Sequence, residues 1–152
     1  MTGPATTRPP ADVHADLQRA RAALLEAELS ALPHERFLAA HVVALRTAAV
    51  VLACRARPGS RPADRPRNAW RVLADVAPEL SEWAAFFAAT QAQRDAVTAG
   101  FTAGVTARQA DDLVRDAAAF LAVVQRRLDG PRPVTAADES AADRRGVNGQ
   151  AQ

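Results

Sequence analysis

Lysine, isoleucine and tyrosine are absent from this 152-residue chain, and cysteine and methionine occur once each. The lone Cys54 excludes an internal disulfide and any zinc site built on paired thiolates. Aromatic residues are scarce at 5%. The bulky ones, Trp70, Trp83, Phe86, Phe87 and Phe120, fall at helical spacing, which suits a bundle core rather than a platform for stacking bases. The sequence also lacks a glycine-rich phosphate loop after a strand, a nucleophile elbow and a Cys/His cluster at zinc spacing. Its histidines are His14, His34 and His41, with no third ligand near the pair seven positions apart, so neither a metal nor a cofactor is expected. The chain opens without the charged and apolar regions of a secretory signal, and a cytoplasmic location is the expectation. Phe37 to Cys54 is apolar enough to resemble a membrane span, but Arg46 lies at its centre. A charge there costs roughly 2.5–3.5 kcal/mol on insertion scales, so a buried helix and no membrane are expected.

What is present favours helix. Alanine is about a quarter of the residues, and every basic residue other than histidine is arginine. That usage looks like codon bias toward G and C, which weakens arginine as a sign of bidentate recognition. With alanine, leucine and arginine abundant, the composition indicates an all-α protein with one domain. The formal charge is only +2. It is unevenly spread: Arg55 to Arg71 holds six Arg against Asp64, a balance of +5, whereas residues 12–130 as a whole have 15 Arg against 14 Asp plus Glu, +1.

Met1 to Pro10 is rich in proline with nothing to bury, and residues 1–11 are expected to be a disordered lead-in. Asp12 can cap a first helix to about Ala31, with one apolar row at Val13, Leu17, Ala20 and Leu24. A second row at Ala22, Leu25, Leu29 and Leu32 would let it pack against two neighbours. Pro33 stops that helix and starts a central one running to about Arg57, with Leu38, His41, Leu45, Ala48 and Leu52 along its face. Pro58 to Pro66 has turn chemistry. Asn68 can cap a short helix, Ala69 to Ala77, with Trp70, Leu73, Val76 and Ala77 inward, and a fourth helix runs from Glu79 to Ala99. After a Gly100 to Gly104 turn, Thr106 and Gln109 have capping-box spacing for a fifth helix, and Gly130 with Pro131 ends it. Residues 131–152 are expected to be a disordered tail. The sum is an all-α bundle of four long helices and one short one, with the folded domain at 12–130.

Two groups of residues can carry function. Arg36 and His41 lie five positions apart, about 140° around a helix. If they converge, the pair suits metal-free RNA cleavage, histidine moving a proton and arginine stabilising phosphate charge. The bland alternative is that Arg36 pairs with a carboxylate near the helix start while His41 is a hydrogen-bonded histidine on an apolar face. The second group is Arg55, Arg57, Arg61, Arg65 and Arg67, able to meet several phosphates of RNA without sequence specificity, or simply to form a solvated loop.

Three segments, PHERFLAAHVVALRTAAVVLA, RNAWRVLADVAPELSEWAAFFAA and ARQADDLVRDAAAFLAVVQ, resemble a family of small actinobacterial HEPN-domain proteins, over roughly Leu24 to Leu128. The resemblance implies a HEPN-like helical bundle, a homodimer, and association with RNA or nucleotide. In the broader superfamily many members are metal-independent endoribonucleases, with an Arg, four to six residues and a His as the catalytic motif. Arg36 and His41 fit that spacing. This chain departs from the pattern in having Phe37 after the arginine, where active members usually place a polar residue, and in carrying the motif on an early helix. An alternative function from a different class is a non-catalytic module for protein interaction or dimerisation.

Overall fold

A computed structural model describes residues 10–55 and 66–130, with side chains described from 12 to 55 and from 69 to 130. Five α-helices follow one another: α1 Pro10–Leu29, α2 Pro33–Arg55, α3 Pro66–Val76, α4 Ser81–Thr98 and α5 Ala107–Asp129. Single 3-10 turns, Pro78–Leu80 and Thr102–Gly104, precede α4 and α5. Residues 1–9 of the expected lead-in, residues 58–65 of the expected turn and the tail lie outside the described residues, whereas residues 10 and 11 already belong to α1 and Pro66 to α3.

Helix α2 is the centre of the bundle, in contact with α1, α3, α4 and α5. Its composition explains why. Alanine and valine at Ala40, Val43, Ala44, Ala48, Val50 and Val51 are all buried, so neighbouring helices can approach it on several sides. The segment that resembled a membrane span is therefore a core helix of the bundle. Arg46, at its middle, is exposed and donates to the Arg19 carbonyl on α1 at 3.3 Å. The aromatic end of the core joins three helices. Trp70 stacks on Phe87 with centroids 5.2 Å apart, and Phe120 lies 5.5 Å from Phe87. Phe86, expected in this group, is 38% exposed instead, because Phe87 takes the inward position on α4.

Helix ends follow local chemistry. Thr106 accepts from the Gln109 backbone at 3.1 Å while the Gln109 side chain accepts from the Thr106 backbone at 3.0 Å, closing the expected capping box. Gly130 ends α5 at φ 46°, a conformation that costs glycine little and an L side chain more. Asn68 does not cap α3. The helix begins two residues earlier at Pro66, whose fixed φ suits a first helical position.

The second apolar row of α1 is the clearest departure from expectation. Helix α1 does meet two neighbours, α2 and α5, but through the row that includes Leu17, Ala20, Ala23 and Ala27. Three alanines let it sit deep between both partners. Leu25, Leu29 and Leu32 are left 57%, 75% and 49% exposed.

Candidate functional site

Arg36 stands in the first turns of α2, just after the short connection from α1. Its Nη1 donates to the carbonyls of Ser30 and Ala31 at 3.0 and 3.3 Å, satisfying groups left over where α1 ends. Its Nε lies 2.8 Å from Asp111 Oδ1 on α5, a close charge contact without the alignment of a hydrogen bond. The side chain is 17% exposed, and its charge is already engaged by three oxygens from two other parts of the chain.

His41, one and a half turns further on, is fully buried. Its ring packs 5.5 Å from Phe37 and edge-on to Phe87 at 6.3 Å. Nε2 lies 2.8 Å from the Thr90 hydroxyl, which donates to the Phe87 carbonyl at 3.0 Å. With that hydroxyl proton committed, the arrangement is satisfied when the imidazole hydrogen sits on Nε2 and donates to Thr90. Nδ1 is then a buried acceptor without a hydrogen-bond partner. Burial pushes the pKa of His41 down to about 4, and Arg94 reinforces the shift against opposing contributions from Asp95 and Thr90. At neutral pH about one imidazole in a thousand would be charged.

The two halves of the candidate pair thus serve different contacts. Arg36 reaches the end of α1 and the surface of α5, and His41 faces the aromatic core and α4. The contacts of Arg36 and those of His41 have, among the described residues, no partner in common. Among the described residues, no three His, Cys, Asp or Glu side chains group where they could hold a metal.

Of the basic group, Arg55 is described and is also occupied. It pairs with Glu79 and donates to the Val76 carbonyl at 3.1 Å, tying the end of α2 to the turn after α3. The bond from Arg55 holds the Glu79 carboxyl below its usual range, and Arg127 adds to this from 3.8 Å. Arg57, Arg61 and Arg65 lie outside the described residues, as does the side chain of Arg67.

A protein-family model described as SAV_6107-like HEPN matches residues 27–125. The chain belongs to this HEPN family. The match begins near the end of α1 and closes near the end of α5, so it takes in the whole of α2, α3 and α4 and the site just described. No curated protein and no solved structure matches the chain. The HEPN assignment agrees with the all-helical bundle. It leaves the chemistry to be argued from Arg36, His41 and their surroundings. Asp111 and Thr90, the partners that define those surroundings, had no signal in the sequence. Both come from helices far along the chain, and neither stands at a diagnostic spacing from positions 36 or 41.

Proposed function

We propose that this HEPN-type helical domain is a non-catalytic module that works by association, with a protein partner or with itself. The observation that carries the reading is the complete burial of His41. A proton-transfer group has to come within about 3.2 Å of the substrate atom or act through one water, and this ring is walled in by Phe37, Phe87 and Thr90. A pKa near 4 also leaves it uncharged at neutral pH, so no imidazolium is there to act as a general acid. Arg36 supports the same reading, since Asp111 and the carbonyls of Ser30 and Ala31 already engage its guanidinium. A cytoplasmic setting belongs to the proposal, supported by the single cysteine and by α2 being packed within the bundle.

The decisive experiment is cleavage of a mixed pool of labelled single-stranded RNAs in EDTA, with wild type beside Arg36→Ala and His41→Gln. The expected result is no cleavage by any of the three. Cleavage by the wild type that disappears in both variants while they stay folded would reverse the conclusion and make the pair a ribonuclease site.

A second reading, RNA or nucleotide binding, is favoured by the local +5 balance between Arg55 and Arg71. It predicts an RNA affinity that falls steeply with salt. Replacing Arg57, Arg61, Arg65 and Arg67 by Gln should abolish that affinity. Arg55→Gln should leave it nearly unchanged, because Arg55 is held by Glu79. Salt-insensitive association without RNA binding removes this second reading.

A further inference from the structure

Helix α4 is held in two different ways along its length. Its first half belongs to the aromatic core: Ala84 and Phe87 are buried, and Trp83 stacks on Phe120 with centroids 5.4 Å apart. The second half, residues 90–98, reads TQAQRDAVT, and among these described residues Val97 is the one buried apolar side chain. Polar groups supply other ties. Thr90 meets His41 Nε2 on α2 at 2.8 Å, and Gln93 donates to the Gly104 carbonyl at 3.2 Å, ahead of α5. Residues 98–104 are all exposed, so the chain beyond this half-helix adds no apolar anchor until Val105.

The polar join is also incompletely satisfied. His41 Nδ1 and Gln91 Oε1 are buried acceptors without a hydrogen-bond partner. Gln91 instead donates from Nε2 to Asp95 at 2.9 Å, along its own helix. A buried acceptor left unpaired has given up the bond it would make with water, and opening this half of α4 returns that bond to both groups.

Proton uptake acts in the same direction. The charged groups that act on the His41 ring are Arg94 and Asp95, both on the second half of α4. Arg94 opposes a charge on the imidazole and Asp95 favours one. Asp95 is shared, lying 3.6 Å from the Arg94 guanidinium and accepting from Gln91. Among the described residues, α1, α3 and α5 bring no charged group that shifts the ring. Burial therefore wins, and the closed arrangement refuses a proton until about pH 4, whereas an uncovered imidazole takes one near 6.5.

We propose that residues 90–98 form an acid-released clasp over His41: they open as a unit while the aromatic core stays closed, and protonation of the uncovered imidazole holds them open. The hinge is Ala88 and Ala89, exposed residues between Phe87 and Thr90. At neutral pH the imidazole is uncharged in both states, and the closed state predominates. Between pH 6.5 and 4 opening takes up one proton, so each pH unit of acidification makes the open state roughly tenfold more populated.

Native-state hydrogen exchange of the full chain, read residue by residue by NMR and corrected for intrinsic rates, tests the clasp. At pH 6.5 the amides of residues 90–98 should exchange faster than those of α2 and α5, at a rate that low denaturant barely changes, the mark of a local opening. From pH 6.5 to 4.5 their protection should fall on the order of a hundredfold. His41→Gln should remove most of that fall. Val97→Ala, which weakens the apolar anchor and leaves the titration in place, should raise the opening roughly tenfold at pH 6.5 and keep the pH dependence.

Exchange of residues 90–98 only in step with Ala84 to Phe87 and α5 overturns the proposal, since no separate unit then opens. A local opening as pH-dependent in folded His41→Gln as in wild type overturns it too. Should His41→Gln fail to fold, Val97→Ala still decides: protection lost evenly across all helices, or an opening indifferent to pH, rules the clasp out.

Discussion

His41 is a histidine whose surroundings hold it neutral, and this has a measurable consequence for stability. Its ordinary pKa of 6.5 falls to about 4 in the folded chain. Above pH 6.5 both folded and unfolded states hold it neutral, so it contributes no pH dependence. As pH falls below 6.5 the unfolded chain takes up a proton that the folded chain refuses, and stability is lost until the folded pKa is passed near 4. The full loss is on the order of 3 kcal/mol. Denaturant unfolding of wild type should therefore weaken between pH 6.5 and 4.5 by much of that amount, and His41→Gln, which does not titrate, should show a flatter profile even if it is less stable at pH 7. An unchanged slope in a folded His41→Gln chain would mean that other groups carry the acid sensitivity. The alternatives left open at position 41 were a proton-transfer group and a core histidine. Spacing alone could not separate them, because both require the same residue on the same apolar face.

At the scale of elements, the ends of helices were more legible than their contacts. The Thr106 and Gln109 capping box depends on residues three positions apart, so the sequence contains all of its geometry. Thr106→Ala should lower stability by about 1 kcal/mol, read as a shift in the denaturation midpoint with an unchanged slope. A loss below a few tenths of a kcal/mol would mean that tertiary contacts, rather than the cap, hold the start of α5. The choice of face on α1 was not legible in the same way. Its two expected rows have similar periodicity, and the buried face took Leu17 and Ala20 from the first together with Ala23 and Ala27, which belonged to neither. Close approach to α2 and α5 at once favours alanine, which leaves the larger leucines outside. Asn68 is a comparable case. A good capping residue was bypassed because Pro66 could start the helix first.

Across the whole molecule, Arg36 is a joint between three helices. It sits on α2, donates to the carbonyls of Ser30 and Ala31 just after α1 and approaches Asp111 on α5. Arg36→Ala should cost about 2 kcal/mol of stability, since charged hydrogen bonds are lost and the carbonyls of Ser30 and Ala31 lose their donor. Asp111→Asn should cost less, because Asp111 is 63% exposed and its pairing is screened by water. If Arg36→Ala proved neutral, the contacts at the α1 end would be incidental. Arg55 has a similar role at the other end of α2, where it binds Glu79. An arginine that resembles a phosphate ligand in a basic run is thus a tie between elements once the chain is folded. The aromatic cluster unites α3, α4 and α5 in the same way, through Trp70, Phe87 and Phe120.

By itself the sequence determined the helical class, the central position of α2, most helix boundaries and the family. These depend on composition, periodicity and residues only a few positions apart, all of which act before distant segments meet. Tertiary structure alone decided which apolar row of α1 faces solvent and what surrounds Arg36 and His41. Both outcomes depend on partners distant in the chain. Asp111 draws Arg36 toward α5, Phe87 and Thr90 enclose His41, and the depth at which alanine lets α1 settle leaves Leu25, Leu29 and Leu32 on the surface.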